Sequence, residues 1–340
     1  MTRRTALAGA LTQAITADAA MSLRWRNLPE LPKALGGQFA GMADDKLLVA
    51  GGSYFDTPSW SGGVKQRVDT VYALGPAGES WRLVGKLPHA VASGAAISTS
   101  RGLLCIGGQL DNGSSPKCLM LAVRDGLLTT TPYPDLPATI SMHSAACSGD
   151  IVYIAGGQTT AQSTSALRTF LSLRLGDSAW RELPGLPDAG RILPVLIASG
   201  SDVFLMSGAE LTGDPGPPAG RRFLRDAYSY SHQSGWQPLA PPPRPIQAAP
   251  SLEWKCTILV FGGNDGTYAP REFELREDHP GFSKDVLAYD IAANQWSVAG
   301  QLPLSLATTA VTLRQGEFVI PGGEDRPAHR SAAVLAGRLR

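Results

Sequence analysis

The chain has 340 residues, with 30 lysines and arginines against 29 aspartates and glutamates, so its formal net charge is +1. This balance, without a basic run or basic residues interleaved with aromatic ones, argues against a nucleic-acid or membrane-surface partner and favours a small neutral or acidic ligand. No stretch has the roughly 20 uninterrupted apolar residues that a membrane-spanning helix needs.

The first twenty residues differ from the rest of the chain. They begin with Arg3-Arg4, continue with an alanine-rich apolar run, and contain Ala17-Asp18-Ala19, which resembles an A-x-A cleavage site. This pattern predicts an export signal of the twin-arginine kind and a periplasmic or otherwise exported protein. Because Thr12, Gln13 and Thr16 interrupt the apolar run, an N-terminal extension on a cytoplasmic protein stays open as the alternative.

After residue 20, a short apolar strand followed by a glycine pair recurs six times, with a serine replacing the first glycine in the fourth copy. The copies are about 50 to 60 residues apart, close to the period of kelch repeats. They are Leu47–Gly52, Leu103–Gly108, Val152–Gly157, Phe204–Gly208, Leu259–Gly263 and Phe318–Gly323. A tryptophan stands 26 or 27 residues before five of the six pairs, at Trp25, Trp81, Trp180, Trp236 and Trp296.

Each repeat reads as strand, tight turn, strand, longer loop, strand, turn, strand. In the first repeat the strands are predicted at 37–42, 46–50, 68–74 and 81–84. Four strands make one blade, which cannot bury both faces alone, whereas six blades around an axis bury them against each other. We therefore predict an all-β, six-bladed kelch-type β-propeller over residues 21–340, with no long helix, although the length alone would suggest two domains.

The phase of the repeat predicts how the ring of blades closes. A lone tryptophan-bearing strand, Leu23–Leu28, precedes the first complete repeat, and Ser331–Leu335 is the third strand of the sixth. We expect these two strands to pair, so that the N-terminal strand becomes the outermost strand of blade six. Such closure would remove an open sheet edge.

The cysteines and histidines show no metal-site pattern. Cys105, Cys118, Cys147 and Cys256 fall within predicted strands without C-x-x-C spacing, which disfavours zinc. Cys105 and Cys118 lie on neighbouring strands and could form a disulfide, but we expect all four to be small buried apolar residues. The five histidines are dispersed among the blades without metal-ligand spacing. The sequence therefore predicts neither a metal nor a cofactor.

The loops between the second and third strands of the repeats vary most in length. In a propeller these loops share one face with the connections between blades, so insertions there indicate the ligand-binding face. The loops concerned are Ser53–Arg67, Glu210–Arg225, Asn264–Lys284 and Glu324–Arg330. We expect Arg191, in the connection that enters blade four, to join them as a substrate-binding residue.

Several charged and aromatic residues in these loops are candidate substrate-binding groups. Trp60 and Lys65 could contact a sugar ring, although a tryptophan folded under its own loop is an equally good interpretation. Glu210 and Arg225 bracket a Gly/Pro-rich insertion, where they could act on a ligand or only clip the base of the loop. The charged run 271–279 could close over a ligand, but we prefer a solvated, self-paired loop.

The last loop carries the most specific chemical pattern. Glu324 directly follows Gly322-Gly323, and Arg330 comes six residues after Glu324, across a loop that Pro327 stiffens. A carboxylate can serve as general acid and base, and the planar fork of an arginine can bind a ligand carboxylate through two hydrogen bonds. The alternative is a purely structural ion pair between Glu324 and Arg330.

With these motifs in place, residues 21–340 resemble the bacterial N-acetylneuraminate epimerases, kelch-propeller mutarotases of sialic acid. The likeness is closest to their cyclically permuted branch. Similar segments are Gly51–Phe55, Trp60, Gly62-Gly63 and Lys65, Ser207–Leu211, Leu224–Tyr228, His279–Phe282 and Asp285–Tyr289. The residues that match the family's Gly-Glu-x-Lys/Arg-Pro-x-x-Arg loop are Gly323, Glu324, Arg326, Pro327 and Arg330. The chain departs from the branch at Asp325, Ala328 and His329.

The resemblance implies an enzyme that interconverts the α and β anomers of N-acetylneuraminate or a related sugar acid by acid/base ring opening. Glu324 would act as the general acid and base, and Arg330 would hold the carboxylate of the sugar. The alternative is a non-catalytic propeller that binds a glycan or a protein partner on the same face, since propellers host many functions. The expected partner is a small-molecule sugar acid, and no oligomeric state is predicted.

Overall fold

Each copy of the strand-plus-glycine repeat forms a strand that is apolar along its length. In the first repeat, Leu47, Leu48, Val49 and Ala50 are all fully buried. Neighbouring sheets cover both faces of this strand, so it carries a continuous apolar run instead of alternating with polar residues. The glycine that follows, Gly51, has a φ of 61°, a left-handed conformation that glycine adopts at little cost and that turns the chain out of the sheet.

The computed structural model describes residues 23–213 and 220–339. Within these ranges, six four-stranded antiparallel sheets surround a central channel, and the prediction of an all-β, six-bladed propeller is confirmed. No helix in these ranges is long and apolar enough to cross a membrane. The helical segments described are Ser59–Ser61, Ala269–Arg271, Glu272–Leu275 and Arg276–Asp278. The export signal predicted over residues 1–20 lies outside the described residues.

Within each blade, the strands are named in order from the innermost, at the channel, to the outermost. Blade one has Phe39–Ala43, Lys46–Ala50, Thr70–Leu74 and Trp81–Lys86, and blade two has Ala95–Thr99, Gly102–Ile106, Cys118–Arg124 and Leu127–Tyr133. Blade three has Ser144–Ser148, Ile151–Ala155, Phe170–Arg174 and Arg181–Glu182, and blade four has Val195–Ser199, Asp202–Met206, Ala227–Ser231 and Gly235–Pro238. Blade five has Ser251–Trp254, Thr257–Phe261, Asp285–Asp290 and Gln295–Gln301, and blade six has Thr312–Arg314, Glu317–Pro321, Val334–Leu339 and Leu23–Leu28.

Short two-stranded hairpins extend from four of the blades, between the second and third strands of each. They are Ser53–Phe55 with Lys65–Arg67 in blade one, Gln109–Leu110 with Gly113–Ser114 in blade two, Ala209–Leu211 with Arg221–Phe223 in blade four, and Glu324–Arg326 with His329–Arg330 in blade six. In blade five the helix Glu272–Leu275 occupies the same place. The hairpins of blades one, four and six and this helix lie in the long loops recognised in the sequence, whereas the hairpin of blade two was not predicted.

The N-terminal strand closes the ring of blades. Leu23–Leu28 pairs antiparallel with Val334–Leu339 as the outermost strand of blade six, so the predicted closure is confirmed. The partner strand begins three residues later than the predicted Ser331–Leu335 and continues to Leu339. It begins later because Ser331 instead bridges Leu35, in the connection that enters blade one.

The repeated tryptophans join neighbouring blades. Each indole Nε1 donates a hydrogen bond of 2.9 to 3.1 Å to a backbone carbonyl at the end of the preceding blade's outer strand. The pairs are Trp25 to Gln301, Trp81 to Pro29, Trp180 to Pro134, Trp236 to Pro184 and Trp296 to Ala240. Blade two, which lacks the tryptophan, packs Leu128 against Gly85 instead, where a Cβ on Gly85 would lie 2.7 Å from that of the leucine.

Six residues around the channel axis form a closed ring of backbone hydrogen bonds. Each residue lies in the connection that enters a blade, and its amide donates to the carbonyl of the equivalent residue in the preceding blade at 2.7 to 3.0 Å. All six have a left-handed backbone, with φ between 49° and 65°. They are Gly37, Ser93, Met142, Leu193, Ala248 and Thr308. This is why the first strand of blade one begins at Phe39 and not at the predicted residue 37.

The cysteines are only partly as expected. All four, which lie in the described part of the chain, are free, with Cys105 and Cys118 buried. Cys105 lies opposite Leu119, and Cys118 lies opposite Ile106, so the two cysteines are not cross-strand partners and the disulfide alternative is wrong. Cys256 is exposed, because it lies in a left-handed turn between two strands and not within one.

Candidate functional site

A cavity of about 630 Å³ lies in the central channel, within the range of about 300–1,000 Å³ that is usual for small-molecule sites. Small residues of the innermost strands line much of it. At one end the loops of blades one, four, five and six contribute charged side chains, namely Lys65, Arg221, Glu272, Glu324 and Arg330. Residues 23–213 and 220–339 contain no group of three or more His, Cys, Asp or Glu side chains that could hold a metal ion.

The backbone of Glu324 is fixed at the edge of the channel. It follows the glycine pair of blade six and exchanges two hydrogen bonds with Ala307, at 2.8 and 2.9 Å. Its carboxylate accepts a hydrogen bond from Thr308 Oγ1 at 2.7 Å on Oε1 and one from the Ala328 amide at 3.2 Å on Oε2. The hydroxyl of a residue in the backbone ring therefore orients the carboxylate.

Arg330 lies beside Glu324 because the hairpin register sets them opposite each other. Its Nη1 is 2.6 Å from Glu324 Oε1, and the two side chains are 7% and 14% exposed. The Arg330 Nε donates to the Ser53 carbonyl at 3.1 Å, and the guanidinium carbon lies 5.2 Å from the centroid of the Phe55 ring. The hairpin of blade one thus holds the arginine of blade six.

Gly36 makes room for this arginine. A Cβ at residue 36 would lie 2.7 Å from Cδ and 2.8 Å from Nε of Arg330, closer than van der Waals contact allows. The guanidinium is therefore confined on three sides, by Gly36, Ser53 and Glu324.

Opposing effects set the charge of Glu324. Burial alone would raise the pKa of its carboxyl, but the positive charge of Arg330, the hydrogen bond from Thr308 and the charge of Lys65 together hold the pKa below its ordinary value. The carboxylate is therefore ionised at neutral pH and can accept a proton.

The pKa values of Lys65 and Glu272, at the same end of the cavity, shift in opposite directions. Burial, with the positive charge of Arg330 next in size, lowers the pKa of the Lys65 ammonium to about 8. Burial raises the pKa of Glu272, an effect that the charge of Arg221 opposes and that of Glu324 reinforces. The pKa values of both groups therefore lie closer to neutral pH than those of exposed lysine and glutamate side chains.

The sequence matches curated proteins named N-acetylneuraminate epimerase. It is 28% identical over 233 residues to the one from Yersinia enterocolitica, covering 61% of this chain and 58% of the relative. The one from Pasteurella multocida is 26% identical over 233 residues, covering 61% and 59%, and the one from Brucella suis is 34% identical over 120 residues, covering 30% of each chain. The matches therefore span about three fifths or less of the relatives' own length. No family model matches the chain.

The chain is similar to the N-acetylneuraminate epimerases. This confirms the resemblance inferred from the motifs. Among solved structures, that of YjhT superposes with a TM-score of 0.68 at 12% identity, covering 92% of this chain and 99% of the other. At that identity the superposition supports the propeller fold alone.

Two lining residues were not recognised as site residues in the sequence. Arg221 begins the second strand of the blade-four hairpin, and Glu272 begins the short helix of blade five. The charged run that contains Glu272 is partly self-paired as expected, since Arg271 and Glu274 form an ion pair of 2.9 Å. The side chain of Glu272 points in a different direction from those of Arg271 and Glu274, because successive helical residues point about 100° apart. The sequence carries no signal that singles it out, because the helix Glu272–Leu275 is too short to show a period.

Of the predicted blade-one and blade-four residues, only Lys65 lines the cavity. Trp60 is half-buried in the turn Ser59–Ser61, and Ser59 lines the cavity in its place. Glu210 pairs with Arg222 at 2.6 Å, because the hairpin register sets those two residues opposite each other. Arg225 is exposed, and its Nε donates to the Pro242 carbonyl at 2.6 Å. The clip at the base of this loop therefore joins Glu210 to Arg222 and not to Arg225.

Arg191 does not reach the cavity, contrary to the expectation that it joins the ligand-binding face. It is completely buried, and its two terminal nitrogens lie 2.7 and 2.9 Å from the carboxylate oxygens of Asp226. Nη1 also donates to the Ser207 carbonyl at 2.9 Å. With both terminal nitrogens occupied inside blade four, Arg191 is a structural residue that ties the entering connection to the third strand.

Proposed function

We propose that this protein is a mutarotase that interconverts the α and β anomers of N-acetylneuraminate or a closely related sugar acid. The observation that carries the proposal is the ion pair of Glu324 and Arg330, held on the wall of the central cavity. The similarity to the N-acetylneuraminate epimerases supports the choice of substrate.

The charges at this end of the cavity suit a sugar acid. Lys65, Arg221 and Arg330 carry positive charge against the two carboxylates of Glu272 and Glu324, which leaves an excess of one positive charge for an anionic ligand. Arg330 is already oriented by Ser53 and Glu324, so it loses little freedom when its guanidinium binds the sugar carboxylate.

The reaction needs a base near the anomeric hydroxyl. The ionised Glu324 takes the proton of that hydroxyl and passes it to the ring oxygen as the bond from that oxygen to the anomeric carbon breaks, and the sugar opens to its keto form. The carbonyl then presents its other face, Glu324 takes the proton of the same oxygen as the ring closes, and it gives that proton to the new anomeric oxygen. Thr308 and the Ala328 amide hold the carboxylate in place throughout.

The test is the rate at which freshly released α-N-acetylneuraminate equilibrates, followed by NMR or polarimetry. The wild-type protein should accelerate equilibration, and Glu324→Gln should lower turnover by the roughly 10²- to 10⁴-fold that a general acid/base group supplies, with little change in binding. Glu210→Gln is the matched control, because Glu210 also pairs with an arginine but lies outside the cavity lining.

Two results would contradict the proposal. An unchanged equilibration rate at high wild-type concentration would exclude mutarotation of this sugar. A folded Glu324→Gln variant with undiminished turnover would remove Glu324 from the mechanism and leave its contact with Arg330 as a structural ion pair.

A further inference from the structure

We infer that Lys65 is the second proton-transfer group of this site, which gives a proton to the ring oxygen of the sugar while Glu324 removes the anomeric proton. The inference rests on the proposed function and adds a catalytic residue to it. Ring opening moves two protons at two different oxygens, so two groups can divide the work that one carboxylate would otherwise do alone.

The fold brings Lys65 to the end of the cavity that holds Glu324. Lys65 begins the strand Lys65–Arg67 and pairs with Phe55 across the blade-one hairpin. The same hairpin contacts Arg330 through Ser53 and Phe55. Lys65, Glu324 and Arg330 therefore line one cavity from two adjacent hairpins.

Lys65 lacks the partner that a structural lysine would have. Two residues along the same strand, Arg67 forms an ion pair with Asp111 at 2.7 Å and approaches Gln109 at 3.3 Å. Lys86 and Lys117 pair with aspartates on the surface. Lys65 makes no ion pair and no side-chain hydrogen bond with any residue in 23–213 or 220–339, although it is half-buried and faces the cavity.

The charges around Lys65 favour release of its proton. Arg330 of blade six, Arg67 of its own strand and Arg221 of the blade-four hairpin are positive, and Glu324 alone opposes them in this set. Glu272, at the start of the blade-five helix, faces the same cavity. Burial, the largest effect, together with the positive charges of Arg330, Arg67 and Arg221 lowers the pKa of Lys65 to about 8. An acid with a pKa near the working pH transfers its proton most effectively.

The proton balance closes over one turnover. In ring opening, Glu324 takes the anomeric proton, the electrons of that O–H bond form the carbonyl, and the bond from the anomeric carbon to the ring oxygen breaks as that oxygen takes a proton from Lys65. In closure, the neutral amine of Lys65 removes the proton of the same oxygen, which attacks the other face of the carbonyl. The carbonyl oxygen then takes the proton back from Glu324. No co-reactant is needed.

The experiment is the pH profile of kcat/KM for N-acetylneuraminate from pH 6 to 10, with the spontaneous rate subtracted. The wild type should lose activity above about pH 8, as Lys65 loses its proton. Lys65→Arg keeps the positive charge but does not release its proton anywhere in this pH range. It should therefore lower kcat at pH 7 by about 10²-fold or more and abolish the loss of activity above pH 8. Lys86→Arg, on the surface of blade one, should behave as the wild type.

The outcomes separate this inference from the function it rests on. A Lys65→Arg variant that keeps the wild-type kcat and the same loss above pH 8, with only a raised KM, would make Lys65 a binding group and overturn the inference while the mutarotase activity stands. A wild type without activity overturns both. Should Lys65→Arg fail to fold, Lys65→Ala keeps the test, because added methylamine should restore its rate in proportion to concentration, and absence of that rescue would count against Lys65.

Discussion

Thr308 links the backbone ring to the chemistry proposed for this site. It is one of the six left-handed ring residues, and its hydroxyl donates to Glu324 Oε1 at 2.7 Å. That hydrogen bond is one of the effects that keep the pKa of Glu324 below its ordinary value. A hydrogen bond to a charged group contributes about 1.5–3 kcal/mol, so the residue should influence both the pKa and the position of the base.

Thr308→Val should therefore move the acid side of the activity profile to higher pH. Without the donor, the pKa of Glu324 rises towards its ordinary value, and the base form is lost earlier as the pH falls. The same pKa shift affects stability. A carboxyl whose pKa is depressed in the folded state stabilises the fold above its unfolded pKa, and this contribution disappears as the pH falls through the folded pKa. Valine is also β-branched, so backbone strain at this residue changes little.

The measurement is kcat/KM between pH 4 and 8 for Thr308→Val, with Thr308→Ser as the control that retains the hydroxyl. Serine should leave the acid side of the profile near that of the wild type. Equal profiles for the valine and serine variants would show that the hydroxyl does not set the protonation of Glu324.

Among the secondary-structure elements, the hairpins and not the blades determine which charged side chains meet at the site. Glu324 and Arg330 are predictable as neighbours from the sequence, because the short loop between them returns the chain on itself and the register then sets them opposite each other. The blades themselves follow from the glycine pairs and the tryptophans. The contact of Arg330 with Ser53 and Phe55 joins the two ends of the ring of blades, so no local pattern indicates it.

The rest of the site depends on register and on irregular loops. Glu210 pairs with Arg222 because one particular hairpin register is adopted, and a shift of one residue would choose a different partner. Arg191 carries the same charge as a ligand-binding arginine, and only the carboxylate of Asp226 beside it reveals its structural role. Glu272 lies in a short helix within a long loop, where sequence periodicity is too brief to assign faces.

Gly36→Ala should impair the site without unfolding the protein. The new Cβ would lie 2.7 Å from Arg330 Cδ, so the guanidinium has to move away from Ser53 and Glu324. Because a small misplacement of a positioned group can cost about 10²-fold, we expect KM for the sugar acid to rise at least tenfold, while the unfolding midpoint shifts by only a few degrees.

Steady-state kinetics and thermal unfolding of the same preparation check this expectation. Gly75→Ala is the matched control, since a Cβ at Gly75 meets no atom within 4 Å. If Gly36→Ala retained the wild-type KM, the position of Arg330 would not determine binding of the sugar.

For the whole molecule, stability should depend on the strand that closes the ring. Leu23–Leu28 covers Val334–Leu339 along six residue pairs, and Trp25 rests on Gly337, where a Cβ would lie 2.5 Å from the indole. Removing residues 1–28 should leave an unpaired edge strand, lower the unfolding temperature by more than 10 °C, and promote aggregation.

A synthetic peptide of residues 21–30 provides the control. Added to the truncated protein, it should restore much of the lost unfolding temperature, because it can pair with the open edge, whereas a scrambled peptide should not. A truncated chain that unfolds at the wild-type temperature would contradict the role of this strand in closing the propeller.

The backbone ring has a consequence for cooperativity. Its six hydrogen bonds run in one direction and return to their starting point, from Gly37 to Thr308 and on through the other four connections, so there is no terminal amide or carbonyl at which fraying can begin. A blade cannot leave the ring without breaking two of these bonds at once. Local openings, which let amide hydrogens exchange with solvent in most proteins, are therefore suppressed around the axis. These six amides should exchange together, and only as fast as the whole molecule unfolds.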